Sequence, residues 1–307
     1  MHFELDRYQR ISVNPLTGTI GAEIEGVDLS QPLDDATVKE IKAAFHDHIV
    51  IFFRNQALTA PQLASVGELF GPLCLGPYSH PGPDHPMVTN LLREADVPSS
   101  QPNVGDNWHA DQTPRECPSL GFALYCKEAP DYGGDTLFAN LYLAYEALSP
   151  AMQKLCDTLT VMHSASGKFG NDGAGKDGGF KSLMGDNLKI DDAVRRSFAA
   201  ETEHPLVSVH PETGRKSLYI AGAYAIRFAG MTREESRPLL DQLMRHAIRP
   251  EFTCRFRWRA GSVAVLDNRC ALHYAVNDYS GFRRVMLRAE IAGDKPYGPA
   301  MPKPGKS

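Results

Sequence analysis

The chain has 307 residues, of which 42% are apolar and 22% charged, proportions typical of a globular protein and not of a disordered chain. Its 26 glycines and 22 prolines follow no period, which excludes collagen-like and coiled-coil fibres. The formal net charge of −5 disfavours nucleic acid and anionic membranes as partners, because both select a basic surface.

Location and cysteine chemistry are predicted from short sequence signals. No apolar run approaches the ~20 residues that cross a bilayer, and the polar N-terminus has no apolar signal-peptide core, so we expect a cytoplasmic protein. The six cysteines form no CxxC pair, and most have apolar neighbours. We expect them to be small buried hydrophobic residues, not disulfides or zinc ligands.

The N-terminal part alternates strand and helix signals. Alternating apolar and polar residues predict a strand over Thr19–Val27. Asp34 or Asp35 can cap a helix, and the apolar run Ile49–Phe53 is typical of a buried strand. Thr59 then opens a second helix through a capping box.

Strands dominate the C-terminal third. They are predicted over residues 252–258, over Val263–Leu266 and over Arg283–Ile291. Thr232 caps a helix before them, and Pro238 is expected to kink that helix or delay its start. With no βαβ repeat, no internal repeat and no long linker, the pattern favours one domain, an antiparallel sandwich or jelly roll with appended helices.

One segment differs from the rest in its glycine content. Gly167–Gly179 holds six glycines in thirteen residues, which gives it high backbone entropy. Two interpretations stay open: a passive loop, or a flexible lid-like insertion around residues 165–190 that closes over a site.

His109 and Asp111 are the first residues with chemical potential. On an extended segment, residues two apart project from the same face, so an imidazole and a carboxylate can bind one metal ion side by side. A solvated pair is the simpler alternative, and His210-Pro211-Glu212 offers the same chemistry in a turn. His273, among apolar strand residues, is either a core histidine or a third ligand. Two histidines and one carboxylate leave three metal positions open, as in non-heme Fe(II) oxygenases.

Arg284 and Arg288 are candidates for binding anions. A strand puts both on one face with Met286 and Glu290, about 13 Å apart at their Cα atoms. Their guanidinium groups suit bidentate capture of carboxylate or sulfonate, whereas the alternative is an exposed face with solvated charges. A tight turn is predicted at Gly133 and Gly134, just before Thr136. The hydroxyl of Thr136 can donate a hydrogen bond to an anionic ligand.

Three segments together carry a family resemblance: NWHADQT (107–113), GGDTLFANLYLAYEALSP (133–150) and DNRCALHYAVNDYSGFRRVMLR (267–288). They resemble the TauD/TfdA family of Fe(II)- and 2-oxoglutarate-dependent dioxygenases, and the likeness runs from about Ile11 to Tyr297. It implies one catalytic domain, mainly β, with a double-stranded β-helix (jelly roll) core and flanking α-helices. It also implies a homo-oligomer.

The resemblance assigns roles residue by residue. His109, Asp111 and His273 match the iron ligands, Thr136 and Arg284 the residues that hold 2-oxoglutarate, and Arg288 the residue that faces the substrate anion. The implied cofactor is Fe(II), with 2-oxoglutarate and O₂ as co-substrates. The implied reaction hydroxylates a small anionic substrate and releases succinate and CO₂.

The substrate pocket departs from that of the taurine enzymes. Their sulfonate-binding His and Tyr align, without gaps, with Gly76 and Ser79, and Tyr78 and His80 stand one residue away. The usual Trp before DNR is Leu266. A bulkier anion than taurine is therefore expected: an aryloxyalkanoate in first place, or an alkyl sulfate or another sulfonate.

Two alternatives use the same residues. A zinc hydrolase could bind water with the two histidines and the aspartate, but the sequence offers it no distinct general base. A non-catalytic small-acid-binding protein could share the barrel, although intact metal ligands argue against it. Formation of succinate from 2-oxoglutarate separates the three.

Overall fold

The computed structural model describes residues 4–76, 81–98, 101, 105–166, 196 and 199–300. Gly167–Gly179, predicted to be a loop or a lid, lies outside the described residues, as do Tyr78, Ser79 and His80. In the described part, strands outweigh helices, as the sequence predicts. The strands are β1 Ser12–Pro15, β2 Ala22–Glu25, β3 Val50–Phe53, β4 Leu73–Cys74, β5 Val88–Arg93, β6 Gly121–Glu128, β7 Thr136–Asn140, β8 Thr160–His163, β9 Thr202–Pro205, β10 Val207–Val209, β11 Lys216–Leu218, β12 Ala225–Phe228, β13 Thr253–Phe256, β14 Val263–Asp267, β15 Ala271–Ala275 and β16 Arg284–Ile291.

Helices flank these strands. They are α1 Asp35–His48, α2 Ala60–Glu68, α3 Leu141–Glu146, α4 Pro150–Cys156 and α5 Arg233–Ala247, with short 3₁₀ turns at Leu5–Arg7 and Pro250–Phe252. No helix in the described residues is long and apolar enough to span a membrane.

Two sheets build the jelly roll. The large sheet has the order β1-β2-β3-β14-β6-β16-β4, with β5 also paired to β16, and only its β2–β3 pair is parallel. The small sheet has the order β13-β7-β15. Strands β12, β8 and β9 form a third sheet, and β10 and β11 form a hairpin.

Three apolar clusters hold these layers together. One fills the space between the two sheets, where Phe52 of β3 stacks on Phe256 of β13 at a centroid distance of 3.8 Å. A second packs α1 and α2 on the outer face of the large sheet. A third packs α3 and α5 beside the small sheet. Burial of both sheet faces explains why the strands that meet in the middle are apolar, β3 throughout and β14 up to its last residue, Asp267.

Local signals predicted most elements, and backbone geometry explains the differences. The predicted strand Thr19–Val27 shortens to β2 because Gly21 and Gly26 both have φ of +84°. Ile49 does not begin β3 but ends α1 at φ +70°, donating its N–H to the carbonyl of Phe45. The Thr59 capping box is confirmed.

The expectation for Pro238 is wrong in one respect. Helix α5 starts at Arg233 directly after its Thr232 cap, with no delay. Proline has no N–H to donate to the carbonyl of Glu234, four residues earlier in the helix. Both residues are exposed, so water can bind that carbonyl instead.

The cysteine expectation also needs a correction. All six cysteines are free, and four of them are buried, but Cys117 is exposed and Cys74 is half-buried. Cys117 therefore does not act as a core residue.

Candidate metal centre and anion site

A β-bridge brings two of the predicted metal ligands together. His109 donates its N–H to the carbonyl of His273 at 3.1 Å, and His273 donates back at 2.9 Å. His273 lies on β15, whose pairing with β7 fixes its position. The backbone bridge leaves the two imidazole rings side by side, with centroids 4.1 Å apart.

Asp111 completes a three-residue cluster. Its Oδ1 lies 3.5 Å from Nε2 of His109, and its Oδ2 lies 3.6 Å from Nε2 of His273. All three ligand atoms lie within 4.8 Å of one another. Ligand atoms about 2.1 Å from one ion are roughly 3 Å apart when adjacent, so small side-chain adjustments would let one ion take all three.

The proton on His109 is directed away from this cluster. Its Nδ1 lies 2.7 Å from the carbonyl oxygen of Asn107, an acceptor that requires an N–H at Nδ1. Neutral His109 therefore presents an unprotonated Nε2 to the cluster. An orienting hydrogen bond of this kind is typical of metal-binding histidines.

Asn268 holds the Asp111 backbone on both sides. Its Oδ1 accepts the N–H of Asp111 at 2.7 Å, and its Nδ2 donates to the Asp111 carbonyl at 3.0 Å and to the Ser119 carbonyl at 3.1 Å. Asn268 is buried. It thereby joins the His109–Asp111 segment to the end of β14.

Arg288 lies between two carboxylates, one of them half-buried (Asp111) and the other buried (Glu290). Its NH2 donates to Oδ2 of Asp111 at 2.7 Å and to Oε1 of Glu290 at 3.1 Å. Burial alone would raise the pKa of Asp111, but the Arg288 guanidinium holds that pKa well below its usual value. Asp111 is therefore ionised. Burial raises the pKa of Glu290, and Arg288 opposes that shift.

Arg284 and Thr136 form a second polar site on the other side of Met286. The Nε–H of Arg284 is buried with no hydrogen-bond partner among the described residues. Its guanidinium carbon lies 6.0 Å from the Trp258 ring and 5.8 Å from the Tyr279 ring. A buried guanidinium N–H without a partner, near two aromatic rings, fits the carboxylate of a ligand, since a carboxylate would supply the missing acceptor.

Trp258 determines which hydrogen bond Thr136 can offer. The indole N–H donates to Oγ1 of Thr136 at 2.9 Å, in a buried contact. Because Oγ1 accepts this hydrogen bond from Trp258, the hydroxyl proton of Thr136 remains available to donate to a ligand.

The turn before Thr136 depends on glycine. Gly133 has φ of +76°, and a Cβ there would lie 2.6 Å from the carbonyl oxygen of Asp278. Gly134 donates its N–H to Oδ1 of Asp278 at 2.7 Å. These contacts hold the start of β7, and so Thr136, against the Asp278 loop.

The second histidine–carboxylate pair in the sequence, His210 and Glu212, does not form an open site. His210 is buried, not solvated in its turn, and its Nε2 lies 2.9 Å from Oδ2 of Asp267. Arg269 also binds Asp267 through two nitrogens, at 2.8 and 2.7 Å. His210, Asp267 and Cys270 are residue types that can bind a metal ion. Arg269, however, already forms an ion pair with the Asp267 carboxylate.

The predicted substrate pocket is described only in part. Gly76 is half-buried two residues beyond Cys74, which pairs with Glu290 of β16. The chain therefore reaches Gly76 from the end of β16 that carries Arg288. Ser79, Tyr78 and His80 lie outside the described residues.

Comparison with known proteins agrees with this geometry. A sequence model of the family described as "Taurine catabolism dioxygenase TauD, TfdA family" matches residues 12–289. The chain belongs to the TauD/TfdA family. Members are 2-oxoglutarate-dependent dioxygenases that use Fe(II) and O₂, so the predicted reaction class, cofactors and jelly-roll fold are confirmed. This class excludes the zinc hydrolase and the non-catalytic binding protein as main interpretations.

Individual relatives span nearly the whole chain. The "Alpha-ketoglutarate-dependent sulfate ester dioxygenase" of Pseudomonas putida is 37% identical over 292 residues, which cover 94% of this chain and 91% of the relative. The "(S)-phenoxypropionate/alpha-ketoglutarate-dioxygenase" of Sphingobium herbicidovorans is 33% identical, over 92% of this chain and 95% of its own. A solved structure titled as a taurine dioxygenase from Burkholderia xenovorans has a TM-score of 0.76 and 36% identity, over 95% of this chain and 94% of its own.

Sequence reasoning missed three residues of this TauD/TfdA site. The sequence motif gives Asn268 no role, the strand pattern only places Glu290 on the face of Arg288, and Trp258 falls at the end of a predicted strand. Asn268 and Trp258 bind residues far away in the chain, which no local spacing signals, and the alternation that places Glu290 beside Arg288 does not reveal their hydrogen bond.

Proposed function

We propose that this enzyme oxidises a small sulfate ester at the carbon that bears the ester oxygen, with His109, Asp111 and His273 holding Fe(II). The observation that carries the proposal is the order of groups on β16. Arg284 and Arg288 project from one face of this strand, and only Arg288 reaches the cluster of His109, Asp111 and His273. One guanidinium can thus hold the co-substrate while the other holds a second anion.

The residues of the metal site each have a task. His109 and His273 would bind through Nε2, and Asp111 would bind as a carboxylate whose low pKa keeps it unprotonated. Asn268 and the carbonyl of Asn107 would orient these ligands. Bound Fe(II) supplies the coupling between oxidative decarboxylation of 2-oxoglutarate and hydroxylation of a substrate C–H bond by O₂.

The distal carboxylate of 2-oxoglutarate fits the Arg284 site. Arg284 would donate its unpartnered Nε–H, and Thr136 would donate the hydroxyl proton that Trp258 leaves free. Both donors are shielded from water, so each hydrogen bond to the carboxylate is strengthened by the low local dielectric.

The sulfate group fits Arg288. The Nε–H of Arg288 is buried without a hydrogen-bond partner in the described residues, so this edge of its guanidinium can receive an anion. Gly76 follows Cys74 at the end of β16 that carries Arg288, so its missing side chain would favour an apolar substrate body on that side. The relatives that act on sulfate esters and phenoxypropionate are consistent with an anion carrying an apolar body.

The overall reaction balances without a further reductant. One O₂ and one 2-oxoglutarate give succinate, CO₂ and one oxygen atom inserted into the C–H bond next to the ester oxygen. The resulting α-hydroxy ester loses sulfate by cleavage of the C–O bond. The hydroxyl proton leaves, and the carbon becomes an aldehyde.

A substrate panel tests the proposal. We would measure succinate released with hexyl sulfate, taurine, a 2-phenoxypropionate and a neutral hexyl ether, each with Fe(II), 2-oxoglutarate and O₂. The proposal expects highest kcat/KM for hexyl sulfate and none above background for the ether. Efficient turnover of taurine, or equal turnover of the neutral ether, would contradict it. The phenoxypropionate arm tests the aryloxyalkanoate that the pocket sequence favoured.

Assembly and location are proposed on the family resemblance and on the sequence. We expect a homo-oligomer in solution, which light scattering of the purified protein measures. The cytoplasmic location predicted from the N-terminus stays a prediction that cell fractionation tests.

A further inference from the structure

A buried carboxylate lies beside the guanidinium that faces the substrate. Glu290 projects from the same face of β16 as Arg288, its side chain is 8% exposed, and its Oε1 accepts a hydrogen bond from Arg288 at 3.1 Å. Its neighbour on the adjacent strand β4 is Cys74, which pairs with Glu290. No step of the proposed reaction uses this carboxylate.

The edge of Arg288 that can receive a ligand is close to Glu290. One face of the guanidinium packs on the Phe122 ring at 4.4 Å, which blocks approach from that side. Its NH2 is held by Asp111 and Glu290, whereas its Nε–H has no partner among the described residues. A ligand anion on Arg288 therefore lies within a few ångströms of a second, protein-borne negative charge.

We propose that Glu290 is a specificity-determining residue that restricts the Arg288 site to monoanions and rejects dianions. The inference rests on the proposed function, because it assumes that the substrate anion binds Arg288. Once a metal ion takes up the charge of Asp111, Glu290 is the carboxylate left to balance Arg288. Repulsion from Glu290 acts once on a monoanion and twice on a dianion of the same shape, so it separates the two.

Sulfate and phosphate monoesters provide a matched pair of ligands. Hexyl sulfate carries one negative charge, and hexyl phosphate at about pH 8 carries two, because its second pKa is near 6. The two head groups are otherwise similar in shape. Their binding is measured by anaerobic calorimetry on enzyme loaded with Co(II) and 2-oxoglutarate, a readout that does not depend on turnover.

For the wild-type enzyme, we expect hexyl sulfate to bind at least ~10-fold more tightly than hexyl phosphate, a factor equal to about 1.4 kcal/mol. Glu290→Gln keeps an oxygen acceptor for Arg288 but removes the charge. It should lower the sulfate-to-phosphate preference roughly tenfold by tightening the phosphate more than the sulfate. Glu23→Gln is the control, since it removes the charge of another Arg–Glu pair, with Arg54, on β2 at the far side of the large sheet. It should leave the preference unchanged.

Each outcome decides the inference. Wild-type enzyme that binds hexyl phosphate as tightly as hexyl sulfate overturns it without any variant. An unchanged preference in Glu290→Gln, with wild-type melting temperature, also overturns it and leaves the proposed function intact. If neither ester binds the wild-type enzyme, the anion site on Arg288 is wrong, and the proposed function falls together with this inference.

Discussion

Removal of the Asn268 side chain should weaken metal binding although Asn268 is not itself a predicted metal ligand. Its three hydrogen bonds, of 2.7, 3.0 and 3.1 Å, bind both backbone groups of Asp111 and the carbonyl of Ser119. At about 1 kcal/mol for each bond, Asn268→Ala loses up to ~3 kcal/mol, of which about 2 kcal/mol comes from the two bonds that hold Asp111 in place. Loss of a residue that orients a ligand typically lowers metal affinity about 10- to 100-fold.

The assay separates this effect from general destabilisation. Co(II) affinity is measured by competition with a chromophoric chelator, and the melting temperature of the metal-free protein is measured beside it. Asn140→Ala is the matched control, because Asn140 is equally buried and its side chain bonds Thr19 at 2.7 Å and Leu143 at 3.1 Å, none of them a predicted ligand. Both variants should melt earlier, but only Asn268→Ala should lose Co(II) affinity. Equal Co(II) affinities in the two variants would refute the reasoning.

Three further predictions concern the co-substrate site and pH. Arg284→Ala should raise the KM for 2-oxoglutarate at least 30-fold, from the ~2–5 kcal/mol of a desolvated charge pair; an unchanged KM would mean that the carboxylate binds elsewhere. Trp258→Phe keeps an apolar ring but removes the N–H that orients Thr136. Initial-rate kinetics should therefore show the KM for 2-oxoglutarate rising about fivefold. No rise in that KM would show that Trp258 does not orient Thr136. Burial lowers the pKa of His48 from 6.5 to about 4, so the folded state favours its neutral form. The contribution of His48 to the free energy of unfolding is therefore complete above pH 6.5 and is lost as the pH falls toward 4. Denaturant unfolding of the metal-free protein should therefore weaken between about pH 7 and 5, and His48→Leu should reduce that loss by ~2 kcal/mol; parallel pH profiles would contradict the assignment.

The sequence predicted elements whose cause is local. The Thr59 and Thr232 capping boxes need only residues three apart, and both are present. Period-two alternation placed Arg284 and Arg288 on one strand face, as observed in β16. Element ends were less accurate where a single backbone angle decides them, as at Ile49, because apolar character does not reveal a positive φ.

The site itself could not be assembled from spacing alone. His273 joins His109 through a bridge between segments 164 residues apart in the chain, and only the family resemblance selected it over an ordinary core histidine. The resemblance also assigned Arg288 to the substrate, but it did not indicate the contact of Arg288 with Asp111 and Glu290. Arg288 and Glu290 are neighbours on one face of β16, whereas Arg288 and Asp111 are 177 residues apart in the chain, so only tertiary packing brings them together.

Labelled oxygen tests the central claim most directly. Wild-type enzyme with Fe(II), 2-oxoglutarate and hexyl sulfate is run under ¹⁸O₂, and mass spectrometry follows succinate while ion chromatography counts sulfate. An oxygenase acting at the cluster of His109, Asp111 and His273 predicts one ¹⁸O atom in each succinate, one sulfate released per succinate, and neither product from Asp111→Ala. Release of sulfate without labelled succinate, or unaltered turnover by Asp111→Ala, would contradict the account.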